Sequence, residues 1–242
     1  MERNNDAKIR FCEEYWLFDI DLSTARDCFN ANIKPNRTVD VTLTDPEGEV
    51  RVTLESSDQK ALRRLQAKFK TVFSPWLIGN INQTLEADFF ELLSKHHWTV
   101  STAESVTGGL IASRILDHAG ASAILKEGYI VYSLDRKIKI LGVDEAILNT
   151  YGVVSLETAQ DMADRLAQKT GADIAIASTG IAGPSGGTPE TPIGTVCFGY
   201  VIGGNRKAVR KQFYGNRNEI RKQAAAFAIG YVIRHLQEAR SI

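Results

Sequence analysis

The sequence is poor in the residues that staple small proteins, ligate metals or act as general bases. Its three cysteines, Cys12, Cys28 and Cys197, stand far apart with no CxxC pair. An odd count at such spacings argues against a disulfide framework and offers no metal-ligand pattern, so a reducing cytoplasm is the expected compartment. The four histidines, His96, His97, His118 and His235, lie outside the glycine-rich segments, which leaves a Ser–His–Asp triad little support. No apolar run approaches the roughly 18 residues a membrane span requires. The polar opening MERNNDAKIR lacks the apolar core of a secretory signal. No Gly-Lys-Ser/Thr completes a phosphate loop, no GxSxG marks a hydrolase elbow, and no internal repeat is visible.

What remains is an ordinary globular composition. Of 242 residues, 43% are apolar and 24% charged, which excludes a wholly disordered chain and suits a large domain with a smaller companion. The formal net charge of zero hides an uneven distribution. Basic and acidic residues number 12 and 13 over residues 1–85, 8 and 14 over 86–203, and 9 and 2 over 204–242. The basic C-terminal stretch attracts phosphate, whether of a nucleotide or a nucleic acid, or a partner's acidic face.

Residues 1–82 read as a small α+β domain. Thr38–Leu43 and Val50–Leu54 alternate at period two around an Asp45-Pro-Glu-Gly48 turn, a hairpin signal. Ser57 is the expected cap of a following helix with Ala61, Leu62, Leu65, Phe69 and Val72 on one face. Residues 83–242 alternate helix and strand: helix to His96, strand at Trp98–Val100, helix over Gly108–Asp117, strand at Tyr129–Tyr132. A helix capped by Ser155 and ended by Gly171 follows, then strands at 173–178, 195–202 and 208–214 and a final helix over about 217–238. This order predicts an α/β fold, a three-layer sandwich with a mixed sheet, the Gly203-Gly-Asn205 turn marking an antiparallel pair at one side.

Three polar or glycine-rich segments fall where strands end, the place open α/β sheets put ligands. The first, Ala103-Glu-Ser-Val-Thr-Gly-Gly109, sets Ser105 near a helix start, where free N–H groups favour a phosphate or an oxyanion; a capping serine with packing glycines is the plainer reading. A serine nucleophile needs a base, and with histidine unsupported, Lys137 in Tyr132-Ser-Leu-Asp-Arg-Lys137 is the candidate, if burial or the neighbouring Arg136 and Lys139 lower its pKa. Its plainer reading is a solvated lysine. The second segment, Ser178–Gly187, can form an anion nest or a surface turn. In the third, Arg217 and Arg221 are four apart on one helix face, suited to a phosphate or simply to solvent.

Jointly these segments resemble the C-terminal domain of the competence/damage-inducible CinA proteins, the nicotinamide-nucleotide amidase family. The likeness covers about residues 84–238 and rests on six elements in order. They are Ala-Glu-Ser-x-Thr-Gly-Gly, Tyr-Ser-x-x-x-Lys, Tyr151-Gly-x-Val-Ser155, Thr179-Gly-Ile-Ala-Gly-Pro-x-Gly-Gly187, Pro192-x-Gly-Thr-Val196 and Gly215-x-Arg-x-x-Ile-Arg221. Residues 10–82 look like the small KH-like segment that precedes this unit in longer CinA proteins. The resemblance implies hydrolysis of the carboxamide of nicotinamide mononucleotide, with Ser105 as nucleophile, Lys137 as base and Tyr132 assisting. It implies substrate contacts from Glu104, Thr107, Gly108, Gly109, Thr179, Gly180, Gly183, Gly186, Gly187, Arg217 and Arg221, the arginines and glycine-rich loop holding the phosphate. It implies neither metal nor organic cofactor, a small-molecule nucleotide as partner, and a homo-oligomer, a dimer, off the membrane. Val106, Leu134, Ser185 and Asn216 depart from the family's usual cysteine, asparagine, aspartate and aspartate, which leaves a non-catalytic nucleotide- or partner-binding relative as the alternative. A nucleic-acid-binding module is disfavoured, because the N-terminal segment is slightly acidic and has no GxxG loop.

Overall fold

Residues 10–34, 37–46, 48–79 and 82–239 are described in the computed structural model of the chain. The chain divides into two units, residues 1–84 and 85–242.

In the first unit the order is β1 (Phe11–Leu17), α1 (Leu22–Asn32), β2 (Asp40–Thr44), β3 (Val50–Ser56), α2 (Gln59–Phe73) and β4 (Leu77–Ile78). The strands form an antiparallel sheet in the order β2-β3-β1-β4. The expected hairpin is β2–β3, with Val41 opposite Leu54. Every second residue of β3 is buried, and Val50, Val52 and Leu54 share a core with Leu62, Leu65, Phe69 and Phe73 of α2. The cap of α2 is Asp58, not Ser57: its carboxylate accepts from the Lys60 and Ala61 N–H groups. Strand β1 and helix α1 stand outside the elements expected from the sequence. Tyr15, Trp16 and Leu17 are buried in a row, so β1 shows no alternation to recognise.

The second unit comprises α3 (Leu85–His96), β5 (Val100–Glu104), α4 (Leu110–Leu116), β6 (Leu125–Ile130), α5 (Leu134–Arg136) running into a π turn (Lys137–Leu141), α6 (Glu145–Tyr151), α7 (Leu156–Thr170), β7 (Ile174–Gly180), β8 (Thr195–Ile202), β9 (Asn205–Gln212) and α8 (Arg217–Glu238). Its sheet has the order β6-β5-β7-β8-β9; β6, β5 and β7 are parallel, and β8 and β9 antiparallel. On one face Ala103, Ala175 and Ala177 pack against Met162, Ala163 and Leu166 of α7. On the other, Phe198 meets Phe227 at 5.1 Å between ring centroids and Tyr200 stacks on Tyr231 at 4.5 Å, both partners from α8. Helix, mixed sheet and helix make the expected three-layer sandwich.

Two strand boundaries move in ways that matter for the site, and the last helix stands where expected. The first strand is Val100–Glu104 rather than Trp98–Val100, so it delivers Glu104 and Ser105 to the sheet edge. The second is Leu125–Ile130, ending before Tyr132. Helix α8 runs Arg217–Glu238, and Asn216 is its cap, with a reciprocal bond from the Asn216 N–H to Glu219. No described helix is long and apolar enough to cross a membrane.

Candidate active site

The C-terminal ends of β5, β6 and β7 lie side by side: Glu104 faces Ile130 on one side and Ser178 on the other. Backbone pairing continues past the strand ends, with the Val131 N–H on the Glu104 carbonyl at 2.9 Å and the Ser105 N–H on the Ser178 carbonyl at 3.0 Å. The Glu104–Ser105 peptide is therefore held by main chain on both sides. Ser105 is only 6% exposed. Two residues on, the Thr107 hydroxyl is hydrogen-bonded to that of Ser178 at 2.7 Å.

Between Ser105 and α4 the chain turns through two glycines with positive φ, 60° at Gly108 and 97° at Gly109, a conformation that a Cβ opposes. Gly109 is the N-cap and has no side chain to satisfy the helix start. Glu104 does so from below. Its Oε2 accepts from the Gly109 and Ile111 N–H groups at 2.8 and 3.1 Å, and its Oε1 from Ala112 at 2.9 Å. Its three acceptor contacts all go to the start of α4, so the geometry shows Glu104 as a buried cap of the loop that follows Ser105. The Gly109, Ile111 and Ala112 donors at this helix start are consequently taken. The Thr107 and Gly108 N–H groups carry no hydrogen bond to any described residue.

Lys137 reaches the same point from the far side of β6. Ser133 caps the short α5 through the Arg136 N–H, and Lys137 opens the π turn that follows, a geometry recurrent at functional sites. Its side chain is fully buried. Nζ donates to Ser105 Oγ at 2.8 Å and to the carbonyls of Val131 and Tyr132 at 2.9 and 3.5 Å. Among the described residues no carboxylate pairs with it. Burial pushes its pKa down from 10.5 to about 8. The expected help from Arg136 and Lys139 plays no part in this shift, and Lys139 is at the surface in an ion pair with Asp135 at 2.7 Å.

The remaining expected residues divide. Tyr132 is 62% exposed; its hydroxyl meets Arg217 Nη2 at 3.3 Å, and what it presents to Lys137 is its carbonyl. Arg217 also donates to the Gly183 carbonyl at 2.7 Å, tying the glycine-rich loop to the exit of β6. Arg221 points elsewhere: Nε donates to the Val106 carbonyl at 3.2 Å and Nη2 to that of Thr107 at 2.8 Å. The Thr179 hydroxyl is spent on the Val153 carbonyl at 2.8 Å. A Cβ at Gly180 would fall 2.7 Å from the Thr195 carbonyl oxygen, and one at Gly187 2.8 Å from the Ile193 nitrogen. Packing within the β7–β8 connection accounts for both glycines. Gly186 sits at the exposed tip. Ser133 and Ser178 stand inside the quoted segments without a role of their own in the sequence; the structure makes Ser133 the cap of α5 and Ser178 the partner of the Ser105 N–H and the Thr107 hydroxyl. Among the described residues no group of three or more His, Cys, Asp or Glu side chains is placed to hold a metal ion.

Comparison with known proteins bears on the same region. Residues 82–236 match the family model described as CinA C-terminal domain. A CinA-like protein from Kosmotoga olearia is 41% identical over 196 residues, which span 78% of this chain and 48% of that one. The chain covers about half the length of the curated relatives it matches. Among solved structures, a competence-damaged protein (CinA) superfamily protein from Klebsiella pneumoniae superimposes with a TM-score of 0.61 at 33% identity, covering 64% of this chain and 96% of that one. The competence/damage inducible protein CihA from Agrobacterium tumefaciens gives 0.60 at 37% identity, covering 63% and 93%.

Proposed function

The chain belongs to the CinA C-terminal domain family, and from that premise we propose that its second unit is an amidase acting on nicotinamide mononucleotide. In this reading neutral Lys137 accepts the Ser105 hydroxyl proton as Oγ attacks the carboxamide carbon. The oxyanion so formed lies against the free Thr107 and Gly108 N–H groups. Collapse of the tetrahedral adduct breaks the C–N bond; Lys137 returns the proton to the leaving nitrogen, and ammonia departs from an ester on Ser105. Water, deprotonated by the same lysine, then hydrolyses the ester to nicotinate mononucleotide and free serine.

One observation carries the proposal. A lysine buried without a carboxylate partner is costly, because desolvation disfavours its charged form and no ion pair offsets the loss. Structural lysines are solvated or paired; a base for a serine 2.8 Å away needs this environment. The nucleotide's phosphate would lie toward the exposed rim, where Arg217 and the Tyr132 hydroxyl meet. The test is ammonia release from nicotinamide mononucleotide by the purified chain, with mass spectrometry for a nicotinoyl-nucleotide ester on Ser105. Absence of both would reject the reading.

A further inference from the structure

We propose that Arg221 is a positioning residue that shapes the oxyanion-binding loop, instead of a phosphate ligand; the inference rests on the amidase reading above. Arg221 lies in the second turn of α8, and its guanidinium fork takes two consecutive carbonyls, those of Val106 and Thr107, at 3.2 and 2.8 Å. The guanidinium is packed onto the turn itself: a Cβ at Gly108 would come within 3.1 Å of Nη2.

A trans peptide is planar, with its C=O and N–H on opposite sides. Pinning the Val106 carbonyl on Arg221 therefore turns the Thr107 N–H away from Arg221, and pinning the Thr107 carbonyl does the same for the Gly108 N–H. With the Val106 N–H, these are the amides between Ser105 and Gly109 that carry no hydrogen bond to a described residue, Glu104 having taken those of Gly109, Ile111 and Ala112. Thr107 is fully buried, and a buried N–H held without a protein acceptor is a disfavoured arrangement unless something else supplies one. Glu104 from one side and Arg221 from the other thus sort the loop's donors into a structural set and a set presented to the site. The sorting depends on the planar fork. An ammonium is a point charge and lacks the fixed pair of donors that spans adjacent carbonyls.

The experiment compares Arg221→Lys and Arg221→Ala with the unaltered chain on nicotinamide mononucleotide and on its dephosphorylated riboside. A positioning role lowers kcat by on the order of 10²-fold in both variants, as for loss of an oxyanion donor. KM should stay within about twofold, and the pH midpoint set by Lys137 should stay in place. Nicotinamide riboside should suffer the same proportional loss. Low concentrations of guanidinium should restore part of the Arg221→Ala rate, a readout that general destabilisation does not produce. Arg221→Lys keeps length and charge, so it tests the fork when the alanine variant folds poorly. A raised KM for the nucleotide with kcat intact, or full kcat in Arg221→Lys, overturns the inference and leaves the amidase in place. An unaltered chain that releases no ammonia removes the amidase reading and this inference together.

Discussion

Lys137 Nζ stands 2.8 Å from Ser105 Oγ, with backbone carbonyls in place of the carboxylate that would normally accompany a buried ammonium. The pair is assembled from residues 32 apart in sequence, one at the end of β5 and the other beyond the end of β6. Everything expected of the site's chemistry follows from that contact.

Ser105→Ala should retain the fold, because main-chain bonds to Ser178 hold this position and the Oγ has Lys137 as its side-chain partner. Ammonia release should fall by roughly 10³-fold or more, as when one member of a concerted catalytic set is removed. Rates near those of the unaltered chain in this variant would exclude Ser105 as nucleophile.

The rate should rise with pH through a midpoint near 8, where Lys137 loses its proton. Below that midpoint the ammonium cannot accept the serine proton. Lys137→Arg should be inactive across the range, since guanidinium stays protonated. A pH–rate profile of both proteins decides this; a midpoint near the usual 10.5 would mean that burial does not tune the lysine.

Folding stability should carry the same signature. The unfolded chain binds the Lys137 proton up to about pH 10.5 and the folded chain only to about 8. Between those values the unfolded state holds more protons, so stability rises with pH, by on the order of 3 kcal/mol in the limit. Lys137→Met, which removes the titrating group from a fully buried site, should be more stable than the unaltered chain at pH 7 and should lose that rise. Urea unfolding of the two proteins at a series of pH values measures the difference. A variant less stable at pH 7 would show that the ammonium is better compensated than its partners suggest.

Glu104→Gln should be more damaging than its size implies. Three N–H groups converge on the Glu104 carboxylate, and an amide offers one acceptor oxygen and turns its own N–H₂ toward donors. A loss of about 1–3 kcal/mol of stability is expected from thermal or urea unfolding, the range for an unsatisfied buried group. The rate should fall with it, because the loop beyond Ser105 is built on that cap. Unchanged stability would mean that α4 is capped by other means.

Arg217→Ala should raise KM for nicotinamide mononucleotide severalfold and leave the riboside unaffected, with little change in kcat. Its guanidinium faces the exposed rim beside Tyr132. Equal effects on both substrates would reduce its role to holding the Gly183 carbonyl.

The sequence by itself determined the α/β layering, the mixed sheet, the β2–β3 hairpin and the span of α8. Period-two and period-3.6 patterns, with caps at Ser155 and Gly171, are local signals that a chain carries without its neighbours. It also showed which residues were chemically suspect: a serine before two glycines, and a lysine beyond a strand. What only the tertiary structure decided is which of those groups meet and what each is free to do. Lys137 could be a solvated lysine or a base until β6 and the π turn buried it against Ser105, because desolvation depends on residues distant in sequence. Arg217 and Arg221 share a helix face and look equivalent in the sequence. The packing of α8 gives one the Gly183 carbonyl and Tyr132 hydroxyl and the other two carbonyls of the loop after Ser105. Glu104 reads as a polar residue at a strand end; it becomes a cap only when the chain doubles back over it at Gly108 and Gly109. Hydrogen-bond partners are assigned by proximity in space, and the local sequence does not encode it.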